Sequence, residues 1–221
     1  MISLIQKEIN SFFASPIAYL VIGLFLVANG LFLWVIPGDY NILDNGFAEL
    51  AAFFELAPWL LLFIIPALTM KSFSEEYKMG TIELLKTKPL SNLQILMGKY
   101  LAALILIFIA VLPSLIYLYS IGQLGSQTNN FDSGVVLGSY IGLLLLICAY
   151  TAIGIFTSIL SDNQIIAFLL GVCISFIVFI GFNFVASIHN SLLFIEDFGI
   201  QSHYKNISKG ILDTRNIVYF I

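Results

Sequence analysis

The sequence predicts an all-α, polytopic membrane protein, and three observations lead there. Hydrophobic residues fill 60% of the 221 positions, with a mean hydropathy of +1.01, whereas an ordinary soluble domain holds about 45–50%. Charged residues make up only 10% of the chain and collect between long apolar runs. Those runs approach the roughly 20 residues that a helix needs to cross a bilayer. Read against membrane thickness, residues 1–221 form a single membrane domain.

At the start, Ile2, Ile5, Ile9 and Phe12 recur at helical spacing with Gln6, Lys7, Glu8 and Asn10 off that stripe, as in an interfacial helix over residues 1–15. A charged, amphipathic start of this kind differs from a cleavable leader. Ser15-Pro16 opens the first span, about 17–36, and Pro37-Gly38 closes it. Residues 38–50 are acidic and lack Lys and Arg. The second span covers about 51–70, with Glu55 near its start and Pro58 and Pro66 inside it. The third runs from about 100 to 120, the fourth over 135–160, and the fifth over 164–188 after the turn Ser161-Asp162-Asn163. A mixed outer segment, 189–215, precedes the apolar ending NIVYFI, which is too short to cross a bilayer. It is expected to begin a sixth transmembrane helix that is incomplete in this sequence.

Orientation follows the basic residues. Lys7, Lys71, Lys78, Lys86, Lys88 and Lys99 fall on the side of the N-terminus, against Lys205, Lys209 and Arg215 on the other. The N-terminus and residues 71–99 are therefore expected in the cytoplasm, and Asp39, Asp44, Glu49 and Asp132 outside.

The net charge of −4 argues against a basic nucleic-acid footprint. Cys148 and Cys173 lie in apolar runs and read as packing residues. His189 and His203 flank Glu196 and Asp197 without metal-ligand spacing. Gly98-Lys99 lacks the rest of a phosphate loop, and no G-x-S-x-G or H-E-x-x-H occurs. Intramembrane ionisable groups mark ion and proton pathways, yet none falls near the centre of a span. Glu55 sits near an outer end, where a solvated carboxylate is favoured over a pathway role. Gly134, Gly138 and Gly142 repeat at four-residue spacing and would let another helix approach closely.

Residues 71–90, KSFSEEYKMGTIELLKTKPL, hold seven of the chain's 22 charged side chains. Ser72 to Glu75 has the form of a capping box, so a short helix is expected from Phe73 to Gly80. Thr81 would cap a second, TIELLK, with Glu83 in its first turn and Pro89 ending it. Ser91 to Gln94 forms another capping box at the head of the third span. A solvated loop and a docking platform fit this spacing equally well.

The run EEYKMGTIELLKTKPLSNLQILMGKYL resembles the cytoplasmic loop of ABC-2 type transporter permeases, with acids, then G-T-x-E-x-L, a proline, and G-K before the third span. KEINSFFASPIAYL at 7–20 and SHYKNISKGILDTRNIVYF at 202–220 are similar to that family's interfacial helix and to its stretch before the last span. The likeness is strongest to the gliding-motility branch, and the copper-site maturation branch is a relative.

The resemblance implies a non-enzymatic permease in the bacterial inner membrane, embedded in the lipid bilayer and binding no cofactor itself. It would pair with a second permease or auxiliary membrane subunit, as homo- or heterodimer, and with cytoplasmic ABC ATPase subunits that hold the ATP. Glu75, Glu76, Gly80, Thr81, Glu83, Leu84, Leu85 and Pro89 match the coupling segment. The implied role is an exporter linked to gliding motility or cell-surface processes. The alternative is a membrane anchor or mechanical transmitter through which an ATPase acts without moving a solute.

Overall fold

The computed structural model describes residues 1–47, 49–87, 89–124, 132–188, 195–210 and 213–220. Every regular element among them is helical, and five helices are long and apolar enough to cross a membrane: Pro16–Val35, Ala51–Met79, Asn92–Leu124, Ser133–Leu160 and Gln164–Ile188. The expected all-α, multi-pass architecture is observed. At the position expected for a sixth span, the described residues form only a short helix, Thr214–Tyr219.

In chain order, α1 is Ile2–Ala14 and α2 is Pro16–Gly30, the latter prolonged by a π-helical turn, Leu31–Val35. Then come the single turn α3, Ile42–Asn45, the span α4, Ala51–Thr69, and the two short helices α5, Lys71–Met79, and α6, Ile82–Lys86. The third span is α7, Asn92–Val111, which passes through a 3₁₀ turn at Pro113 into α8, Ile116–Leu124. It starts earlier and ends later than the hydropathy suggests. The remaining helices are α9, Ser133–Leu160, α10, Gln164–Phe176, α11, Phe182–Ile188, α12, Ile200–Ser208, and α13, Thr214–Tyr219.

α4 is the central strut, packed against α2, α9 and α10. Its prolines remove two backbone donors. Pro58 can give no hydrogen bond to the Phe54 carbonyl four residues back, and the Tyr204 hydroxyl of α12 donates to that oxygen instead at 2.6 Å. Burial, then the nearby charge of Glu55, pushes the Tyr204 phenol up, so it remains a donor.

Close packing against α4 depends on two glycines. A Cβ on Gly154 of α9 would lie 2.1 Å from the Thr69 hydroxyl, and one on Gly171 of α10 would lie 2.9 Å from Pro66 Cβ.

Two local expectations fail. No capping box forms at Ser72, because the helix of α4 carries on through Met70 into α5 with little change of backbone. At the junction the amides of Phe73 and Ser74 donate to Ser158 Oγ of α9, at 2.8 and 3.3 Å, and Ser158 donates to the Met70 carbonyl at 3.1 Å. Nor does Thr81 cap α6: its backbone is already helical, and its hydroxyl reaches back to the Glu76 carbonyl at 3.5 Å. Gly80 does end α5, in the left-handed region at φ +68° that favours glycine. The Ser91–Gln94 capping box is present in both directions, at 3.2 and 3.1 Å.

The Gly154–Thr69 approach makes a testable demand. Gly154→Ala should destabilise the protein in detergent by about 1–3 kcal/mol, as overpacking does. Thr69→Ala in the same background should return part of the loss, a coupling that a double-mutant cycle of unfolding midpoints measures.

Candidate functional site

The third-span helix presents Ile95, Ala102, Leu106 and Ile107 inward, and Lys99 falls in the same phase. Its side chain is 2% exposed. A buried ammonium needs hydrogen-bond acceptors and opposite charge, and Lys99 has both: it donates to Ser72 O at 2.6 Å and to Glu8 Oε1 at 3.3 Å, and Glu76 Oε1 pairs with it at 3.0 Å. The Phe73 ring lies 5.1 Å from Nζ and adds a cation–π contact. Lys7 joins from the solvent side, 3.3 Å from Glu8 and 3.7 Å from Glu76. One lysine thus ties α1, α5 and α7 together at one end of the bundle. Glu76 Oε2 is also buried and has no hydrogen-bond partner among the described residues.

This geometry corrects the reading of α1. The face packed on the bundle is Leu4, Glu8 and Phe12, while Ile2 stays 72% exposed. An acid occupies the packed stripe because a buried lysine faces it. Beside that pair, the Leu4 side chain packs onto Gly98, where a Cβ would meet its Cδ2 at 2.8 Å.

The charged helices enclose a cleft of about 370 Å³ between α1, α5, α6 and α7. Of the residues singled out from sequence, Glu75, Glu76, Thr81, Leu84 and Leu85 line it. Leu85 is buried in a small cluster with Leu4, Phe73, Ile95 and Ile155, while Leu84 remains 67% exposed at the mouth. Gly80, Glu83 and Pro89 are exposed and lie outside the lining.

In α9, Gly142 sits under α12, where a Cβ would be 3.0 Å from Ile207. Gly138 is buried, and Gly134 is exposed, its amide donating to the capping Asp132 at 2.9 Å. His203 contacts Asn216 Oδ1 at 2.7 Å and the Asp197 carbonyl at 2.8 Å, and stacks on Tyr219. No metal-ligating group occurs among the described residues, and His189 lies outside them.

The sequence assigns Lys99 to topology and sets Glu8 off the apolar stripe, whereas both are buried and face each other. The signal was present as phase: Lys99 stands four after Ile95 and three before Ala102, and Glu8 stands midway between Leu4 and Phe12. A charge in register with a core stripe needs a buried partner.

The bundle and its ion-paired end define a multi-pass α-helical membrane protein whose lysine end is rigidly cross-braced. The model of the ABC-2 family transporter proteins matches residues 45–218, well over half of the chain, and the protein belongs to that family. It is accordingly a permease subunit of an ABC transporter, a transmembrane component that associates with ABC ATPase partners. No curated protein and no solved structure matches the chain.

Removing one member of a buried ion cluster strands the others, at a cost of about 3–5 kcal/mol. Lys99→Met should therefore lower the unfolding midpoint in detergent sharply. Adding Glu8→Met and Glu76→Met should restore most of it, since no buried charge then remains unpaired. A triple variant as unstable as the single one would contradict the assignment.

Proposed function

We propose that the lysine end faces the cytoplasm of a bacterium and receives an ABC ATPase on the α5–α6 hairpin, making the chain the permease half of an exporter in the inner membrane. The observation that carries this reading is the continuity of α5 with α4: the coupling segment is the end of a span, so force applied to it reaches the bundle directly. Exposed Glu83 and Leu84 on α6 offer a carboxylate and an apolar side chain to a partner surface, the pairing with which an amphipathic helix seats in a groove. ATP would bind and be hydrolysed on the partner, and a second permease or auxiliary membrane subunit would complete the pathway. Gliding motility or another cell-surface process is the setting that the residue-level likeness favours.

The cross-brace also favours a second reading, in which the chain transmits force from the ATPase to a partner complex and no solute crosses. ATP hydrolysis in liposomes that rises with a defined solute, accumulating on one side, supports export. Hydrolysis that responds only to a partner protein supports the transmitter.

Docking itself is tested by charge and backbone. Glu83→Lys reverses an exposed charge, and Gly80→Leu forces a side chain into a left-handed backbone at φ +68°. Both variants should insert normally yet lose the co-purifying ATPase. Retention of the ATPase by both would sink the proposal.

A further inference from the structure

A larger cavity, about 520 Å³, opens at the opposite end of α4. Its walls are α4 and α12 with the residue that caps it, and they carry charges with no ion-pair partner among the described residues: Glu55 on α4, Lys205 on α12 and Lys209 at the C-terminal cap of α12. Trp59 and Phe179, edge to face at 5.9 Å, supply an apolar side.

The cavity is held open by the way α12 is fixed. Tyr204 is bound to the carbonyl freed by Pro58, Ser208 O accepts from Ser139 Oγ at 2.8 Å, and Ile207 rests on Gly142. Gln201, another wall residue, accepts from Asn183 Nδ2 at 2.6 Å. The charged groups therefore stand on braced helices, and recognition can be preorganised.

Lys205 and Lys209 are four residues apart and line the same cavity, so they repel each other unless an anion lies between them. Glu55 lines the same space from the other wall. A purely anionic guest would meet Glu55, and a purely cationic one would meet two lysines. Only a guest bearing both signs, with an apolar part for Trp59 and Phe179, answers every group. We infer that this cavity binds an amphiphile with a phosphate-and-primary-amine headgroup, the phosphate on Lys205 and Lys209 and the amine donating to Glu55. The inference goes beyond ATPase docking and stands without it, because it concerns the other end of the bundle and is read on the permease alone.

Native mass spectrometry of the full chain in detergent, with equimolar phosphatidylethanolamine, phosphatidylcholine and phosphatidylglycerol, tests it. Phosphatidylethanolamine should be retained over the other two, since a quaternary amine cannot donate to Glu55 and a glycerol headgroup carries no cation. The double variant Lys205→Gln/Lys209→Gln should lose about tenfold or more of that retention, two charge-assisted contacts being removed. Glu55→Gln should erase the preference over phosphatidylglycerol while keeping anion binding. All three side chains are exposed, so the variants should unfold at the parent temperature.

Added phosphorylethanolamine distinguishes the source of the headgroup. Failure to displace the lipid at equal concentration assigns the site to a tailed molecule held by the aromatic wall, and displacement assigns it to the free compound. Equal retention of the three lipids, or full retention by the double lysine variant, overturns the inference.

Discussion

The architecture depends on one constraint: a lysine ammonium held where water scarcely reaches. Lys99 is tolerable inside the helix packing only because two carboxylates and a backbone carbonyl from two other helices converge on it. Removing an ion from water costs several kcal/mol, and only good geometry with complete hydrogen bonding offsets it. The cluster is thus weak evidence of extra stability. It dictates where α1 docks, which turn of α5 faces α7, and why an acid lies on the packed face of the first helix.

Ser158 extends the same brace to α9, by accepting from the Phe73 and Ser74 amides at the α4–α5 junction and donating to the Met70 carbonyl. Here they are satisfied across the bundle, so tilting α5 without disturbing α9 would break those hydrogen bonds. In the proposed assembly this is how movement of the hairpin is passed into the spans instead of being absorbed by a loose loop. The far end of α4 is braced by a different device, the Tyr204 hydroxyl on the carbonyl that Pro58 leaves free. The two ends of one strut are fixed by polar contacts, and between them the close approaches at Gly154 and Gly171 rest on packing.

Much of this was legible in the sequence. Hydropathy alone placed five spans, because a backbone in lipid must satisfy its own hydrogen bonds and therefore runs as long apolar helices. Gly80 and the Ser91–Gln94 box were legible because their physics is local. The Ser72 and Thr81 caps were misread for the complementary reason. A capping motif states what a side chain can do at a free helix end with extended cap backbone, and neither residue offers that: α4 simply continues past Ser72, and Thr81 precedes α6 with helical backbone and turns its hydroxyl back to the Glu76 carbonyl. The Lys99 cluster joins residues 91 apart in sequence, and no local pattern names such a partner. Its phase within the apolar stripe announced only that a partner was needed. The cavity at Glu55 was hidden likewise, since one acid in α4 gains meaning only when α12 folds back beside it.

The account predicts that α1 and α5 behave as one body. Spin labels at Gln6 and Lys78, both on exposed positions of those helices, allow the distance between them to be measured in the assembled transporter with and without ATP. With Lys99 intact, the distribution should keep its centre and width in both states, and Lys99→Met should broaden it. A shift on ATP binding larger than the width of the distribution, with Lys99 in place, would contradict the claim that this lysine couples the two helices.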